Sequence, residues 1–523
     1  MGKNKQNKKG KGAEKTAVKT EKKLSKKQKK DLADLGEEDV ESIVAQIEME
    51  EKKKQAVTEA AIDRPLKRSS FAFVAHPEKD ELILFGGEFF NGQKTVMYND
   101  IVNFNIAKNS WSCLKVPGGP APRSGHQMVA VPGGKGGQLW LFGGEFISPS
   151  QSQFYHYNDL WVHHLGEKRW QKINCPGGPS ARSGHRMVVN KKQIILFGGY
   201  HDNTINFKYF NDVYSFDLKD YKWKKLEPTG IPPPPRSACI MAALPSGKIL
   251  VCGGYSKVKV KKDVDKGVMH TDAFLLTPDK GDETGTKWKW VSVKTGGVSP
   301  LPRSGMAFTV MPSGRAFAFG GVRDEEGEED LSGTFLNDSY FVDLESNVWR
   351  TVTLSGKKDQ TKRLRRRKKE GEGNEEEIDD DEEEQQKMEE EPLPLVTSDD
   401  GIFKVTVGPG PVAQTTVGGT QPSAGGPVVF HPSSRMSAGV VFKQGKIFLY
   451  GGQYEEGDKQ LTFSDLYSLD VHKLDEWQTL LVSEISPEDW VDSGSSSSSE
   501  DDSEEEDDED EDEDNEETAM DTD

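Results

Sequence analysis

Ten histidines and four cysteines are scattered along this 523-residue chain, and none of their spacings suits a reactive centre. Cys113, Cys175, Cys239 and Cys252 form no C-x-x-C pair, which argues against a zinc ribbon or a redox dithiol. The sequence has no GxxxxGK[ST], GxSxG or HExxH and no GxGxxG ahead of a helical pattern, so a phosphate-cradling loop, a nucleophile elbow and a zinc-hydrolase helix are not expected. His163 and His164 are adjacent on an expected strand, where neighbours point to opposite faces and cannot share a metal. His126 and His185 recur at equivalent positions of one motif, which marks them as structural. The chain reads as a non-enzyme, with no cofactor and no metal.

Arginine is the residue that recurs with chemistry in reach. Arg-Ser-Gly-His or a variant stands at Arg123–His126, Arg182–His185, Arg236–Cys239, Arg303–Met306 and Arg435–Ala438, and the first repeat has at best Arg68-Ser69-Ser70. A guanidinium is a planar fork of donors that grips carboxylate or phosphate in bidentate fashion and stacks on aromatic rings. Two readings follow. The arginines ring a surface that binds an acidic peptide, or they pair internally with strand-start aspartates such as Asp100 and Asp159.

The elements that hold these arginines are set by a repeat. An apolar run ending in a glycine pair recurs six times, with first glycines Gly86, Gly143, Gly198, Gly253, Gly320 and Gly451. Downstream of each pair a polar residue and an aspartate open an alternating strand, at Asn99-Asp100, Asn158-Asp159, Asn211-Asp212 and Asn337-Asp338, with only Asp272 and Asp465 kept in repeats four and six. One tryptophan follows at a near-constant offset: Trp111, Trp170, Trp223, Trp290, Trp349 and Trp477. Each unit thus holds four short strands. Such a unit cannot bury both faces alone and must stack on its neighbours, which is the logic of a propeller blade.

With these landmarks the repeats resemble kelch repeats. The resemblance implies an all-β, six-bladed kelch propeller, with blades one to five over 65–355 and blade six over 430–485. It also implies that the loops after the glycine pairs and the starts of the first strands share one face. That face is expected to bind a protein or acidic peptide partner through Arg123, Arg182, Arg236, Arg303 and Arg435, bordered by Tyr155, Tyr200, Tyr209 and Tyr255. Some kelch-like propellers are copper oxidases, but that activity needs convergent His, Tyr and Cys ligands that no spacing here provides.

Charge divides the rest of the chain. Net charge is −19, and its extremes lie in segments too polar to fold. Residues 1–36 read as a disordered Lys-rich tail, and 486–523 as a disordered acidic one. Residues 37–60 place Val40, Ile43, Val44 and Ile47 on one face of a short amphipathic helix, which either packs on the propeller rim or docks a partner. Residues 356–429 form a charged insertion between blades five and six. It contains Lys362, Arg363, Arg365, Arg366, Arg367, Lys368 and Lys369, read as a nuclear localisation signal, a phosphate-binding patch or a loop neutralised by the acids that follow. A hairpin is expected around Asp399-Asp400-Gly401, and the acidic run Glu370–Glu391 is expected to lie over the arginine ring. Ser498, Ser499 and Ser503 precede acids, a context suited to acid-directed kinases.

No apolar run is long enough to span a membrane, and the lysine-rich start has no secretory pattern, so no membrane contact is expected. The sequence thus leads to a non-catalytic interaction scaffold of nucleus and cytoplasm. Nucleic-acid contact is confined to the basic tails. Two alternatives stand beside it: a nuclear or nucleolar escort for basic clients such as histones or ribosomal proteins, and a ubiquitin-ligase substrate adaptor, as in some kelch families.

Overall fold

The computed structural model describes residues 38–356 except 204–205, 262–263, 283 and 327–330, the strands 396–399 and 404–407, and residues 429–492 except 458, 486–488 and 490. Six antiparallel sheets each take four strands from one repeat, in sequential order from the axis outward. Blade two shows the plan: Gln127–Val131, Gln138–Phe142, Leu160–His164 and Arg169–Ile173. The second strand is the most apolar of the four, and Leu139, Trp140, Leu141 and Phe142 are all fully buried because both its faces meet neighbouring blades.

Six core clusters fill the six gaps between adjacent blades. In five gaps the tryptophan in or just before the fourth strand leans on the aromatic residue that precedes the previous blade's glycine pair. These contacts are Phe85 with Trp170, Phe142 with Trp223, Phe197 with Trp290, Phe319 with Trp477 and Tyr450 with Trp111, with ring centroids 5.2–6.0 Å apart. Each such contact contributes about 0.5–1.5 kcal/mol beyond area burial. The glycine pairs answer a steric demand. A Cβ on Gly86 (φ 68°) would lie 2.7 Å from the Arg123 carbonyl oxygen and 2.8 Å from His126 Cε1.

Blades one and five gain a fifth strand. Thr58–Ile62 pairs antiparallel with Ser110–Lys115, and Gly296–Gly297 runs parallel to Val348–Thr351. The ring closes without exchanging a strand. Blade six is built entirely from its own repeat and meets blade one through Gly452 N donating to Arg68 O (3.3 Å), Tyr450 OH donating to Leu66 O (3.2 Å) and Lys443 Nζ donating to His76 O (2.9 Å).

The segments after the glycine pairs, expected as loops, are mostly β-ordered. Hairpins stand on blades one to four and six, among them Glu145–Ile147 with Phe154–His156 and Tyr200–Asp202 with Phe207–Tyr209. In blade five the second and third strands themselves extend upward as Arg315–Glu326 and Leu331–Asp343. The helix α1 (Val40–Lys53) starts at Asp39, whose carboxylate accepts from Glu41 N. Val40 and Val44 are buried against Ala121, Phe146 and Tyr157, with Ile43 and Ile47 partly covered, so the helix rests on the hairpins of blades one and two.

A two-stranded hairpin joins Val396–Asp399 to Lys404–Val407. The insertion leaves from Gly356, whose N–H donates to Asp475 O (2.9 Å) between the third and fourth strands of blade six. That end of the blade lies away from the glycine pairs, whereas the chain returns beside them, with Arg435 N donating to Leu336 O (3.1 Å) and Asn337 Nδ2 to Pro432 O (3.1 Å). The run 370–391, the acidic tail and the lysine-rich start lie outside the described residues.

Candidate partner-binding face

The motif arginines are not on the surface. Arg123, Arg182 and Arg236 are 0% exposed, Arg435 1% and Arg303 7%, and Arg68 in the divergent first repeat is equally buried at 0%. Each forks onto the aspartate of its own blade: Arg68 to Asp100 (2.7 Å), Arg123 to Asp159, Arg182 to Asp212 and Arg236 to Asp272 (2.6 Å each), Arg435 to Asp465 (2.5 Å), and Arg303 to Asp338. The same guanidinium donates to the carbonyl of the first glycine of the pair, at 2.9–3.2 Å in all six blades. Aromatic faces cover four of them: Tyr98 on Arg68, Tyr157 on Arg123, Phe210 on Arg182 and Phe463 on Arg435, within 4.1 Å.

Of the two readings of these arginines the structure has the internal pairing, which corrects the expectation that Arg123, Arg182, Arg236, Arg303 and Arg435 meet a partner. Their donors are used inside the blade, where a buried cation needs both a counter-charge and hydrogen bonds. Burial works against the Asp159 carboxylate, yet the Arg123 charge and hydrogen bonds hold its pKa below the ordinary value. The asparagines beside the aspartates serve the backbone instead: Asn99, Asn211 and Asn337 donate to the carbonyls of Pro120, Pro233 and Pro432.

The residue after each glycine pair surrounds the mouth of the axial channel. This ring is Glu88, Glu145, Tyr200, Tyr255, Val322 and Gln453, each bridged to the motif position after its arginine. Sequence reasoning missed the two glutamates; the signal was an alignment column one place beyond the glycines. Glu88 accepts from Ser124 Oγ (2.8 Å), and Glu145 accepts from Tyr200 OH (2.8 Å). Burial, then the charge of Glu88, pushes Glu145 up to about 8. His156 Nε2, 3.6 Å from Glu145, accepts from Asp202 N, and burial holds this imidazole neutral with a pKa of about 3. Among the described residues no Lys or Arg forms an ion pair with either glutamate.

Of the four candidate tyrosines, three come together. Tyr200 stacks on Tyr209 (5.8 Å, 28°), and Tyr209 meets Tyr255 edge-on at 6.3 Å, giving a half-buried aromatic surface over blades three and four. Tyr155 is apart from them, packed on Tyr157 at 5.0 Å beside α1. His163 is buried against Trp170 while His164 faces Gln171, so the adjacent imidazoles do diverge. Among the described residues no group of three His, Cys, Asp or Glu side chains is placed to hold a metal. No described helix is long and apolar enough to cross a membrane. Lys362, Arg363, Arg365, Arg366, Arg367, Lys368, Lys369, Ser498, Ser499 and Ser503 lie outside the described residues.

Six sheets around one axis, each with four strands from its own repeat, make this chain a six-bladed β-propeller. Residues 68–279 match the family model described as FBX42, beta-propeller domain. The chain is 26% identical over 295 residues to the leucine-zipper-like transcriptional regulator 1 homolog of Drosophila melanogaster, covering 55% of this chain and 26% of that protein. It is 29% identical over 227 residues to Adagio protein 3 of Arabidopsis thaliana, covering 42% and 32% respectively. The solved structure of YjhT superposes with a TM-score of 0.46 at 13% identity, covering 80% of this chain and 98% of that one. The chain spans 26% and 32% of the length of these two curated relatives.

Proposed function

We propose that this chain is a non-catalytic interaction scaffold of the kelch kind that receives a protein partner on its hairpin face. Residues 76–95 and 254–267 and the lysine-rich start resemble kelch domain-containing protein 4, and the likeness to the FBX42 propeller supports the same class. The observation that carries the reading is the aromatic surface of Tyr200, Tyr209 and Tyr255, raised on hairpins above a rigid ion-paired ring. Tyrosines on such a base offer large contact area with little entropy to lose. The test is a pull-down or proximity labelling that compares the intact chain with Tyr209→Ala and Tyr255→Ala. Loss of the same partners from both variants, with unchanged melting, supports the scaffold; an unchanged partner set removes this face as the site.

Escort of basic clients is a second reading, favoured by Glu88, a carboxylate at the channel mouth with a hydroxyl donor but no cation of its own among the described residues. The acids of 370–391 and 500–523 would add long-range attraction. Salt-sensitive copurification with histones or ribosomal proteins, lost on deleting 495–523 or on Glu88→Gln, is its expected signature. Import into the nucleus through Lys362–Lys369 belongs to this proposal, and a reporter fused to residues 357–370 tests it.

A further inference from the structure

One seam of the ring is open. At four of the six seams the first three of the motif residues are sewn to the preceding blade by backbone hydrogen bonds, and blades two and three show the set. Gly144 N donates to Arg182 O (3.0 Å), Arg182 N to Tyr157 O (3.2 Å) and Gly184 N to Gly125 O (2.9 Å). The seam between blades six and one keeps two of the three, Gly452 N to Arg68 O and Ser70 N to Ser437 O, both at 3.3 Å. Between blades four and five none of the three forms among the described residues: Gly254 N, Arg303 N and Gly305 N find neither Arg303 O, His270 O nor Ala238 O.

The side chains give the cause. The position before the glycine pair is Phe85, Phe142, Phe197, Phe319 or Tyr450 in five blades and Cys252 in blade four. No ring of blade four therefore leans on Trp349, whose aromatic neighbour is Tyr340 of its own blade at 6.1 Å, and a cleft of ≈ 80 Å³ opens to the hairpin face between Cys252, Ile240, Met306, Trp349 and Leu301. Gly253 reports the same gap. A Cβ there would meet nothing nearer than 3.7 Å, whereas at the other five first glycines the next blade's Arg carbonyl stands 2.6–3.0 Å away. Farther down, the blades still pack through Leu250, Ala316 and Ala318.

We infer that the seam between blades four and five is a receptor for an extended segment of the partner polypeptide, which sets one apolar side chain where the other seams hold an aromatic ring. This deepens the scaffold reading and rests on it. What fills the equivalent space elsewhere defines the occupant. It is a ring against the tryptophan, together with main-chain groups that accept from Gly254 N–H and donate to Ala238 C=O. Tyr255, next in sequence to Gly254, joins this cleft to the aromatic surface, so one peptide can run across both.

The probe is a displayed library of random twelve-residue peptides panned on the full chain, with backbone hydrogen exchange read in parallel. In the free protein the Gly254 and Gly305 amides are expected to exchange at least tenfold faster than Gly144 and Gly184, and to slow when a selected peptide binds. Thr271→Trp and Ser299→Trp, both exposed at the cleft rim, are expected to lower peptide affinity at least tenfold. Asn158→Trp, at the equivalent exposed place on a closed seam, should leave it unchanged. Cys252→Phe is expected to slow Gly254 exchange with no peptide present. Equal protection at all seams in the free protein overturns the inference, as does a cleft that takes up water alone and selects no peptide. Peptides lost with Tyr209→Ala but retained with Thr271→Trp would leave the scaffold standing and remove the seam.

Discussion

The inner ring and the hairpin crown are built from neighbouring residues and obey opposite rules. The motif arginine recurs in every blade and vanishes into the interior behind its aspartate, whereas the next residues along the chain, from Glu88 and Glu145 to Tyr200, Tyr255, Val322 and Gln453, change from blade to blade and surround the channel mouth. A feature needed by each sheet must be present six times. A feature that a partner reads has no reason to repeat. Within a repeat protein, periodicity therefore points to folding, and its interruption points to recognition.

Arg182→Ala should break this contrast most severely. It leaves the partly buried Asp212 without its cation and opens a cavity where a fully buried, hydrogen-bonded guanidinium stood, and a loss of about 3–5 kcal/mol is expected in chemical denaturation. Arg182→Lys should recover only part, because an ammonium cannot span Asp212 and the Gly198 carbonyl as a fork does. On the crown the balance reverses. Tyr209→Ala should cost about 1–2 kcal/mol in partner binding while moving the denaturation midpoint little.

Glu145→Gln sharpens the comparison through pH. With a folded pKa of about 8, against about 4.3 in the unfolded chain, Glu145 keeps its proton in the native state while the unfolded chain has lost it. Its favourable contribution is complete below pH 4 and fades as pH rises to 8. The variant should therefore melt a few degrees higher than the parent at pH 8 and no higher at pH 5, as read by scanning calorimetry. The smallest effect is expected from Val44→Asp. It should free α1 from Phe146 and Tyr157 and expose residues 38–56 to limited proteolysis, at less than about 1 kcal/mol of global stability, because the helix is peripheral to every blade.

Much of this architecture was legible in the residues. The glycine pairs, the strand-opening aspartates and the tryptophans fix six sheets, because each marks a steric or packing demand that every blade must meet. The amphipathic spacing of Val40, Ile43, Val44 and Ile47 likewise gave the helix and the face it buries. The roles of the arginines were not legible. The same guanidinium satisfies a partner's carboxylate or its own Asp159, and only the depth at which the pair sits decides between them. Arg68 shows the converse: its motif has drifted, yet the aspartate 32 residues on holds it in the same place. Cys252 stood in plain view within a column of aromatics, but a missing ring carries meaning only once the space it leaves is seen.

Closure by six self-contained sheets has a consequence for how the chain can be cut. Since blade six borrows no strand from the beginning of the sequence, moving the termini to the link between blades one and two separates no paired strands. A circular permutant starting near Pro117, with the old ends joined by a flexible tether, should retain every sheet intact and fold to the same toroid.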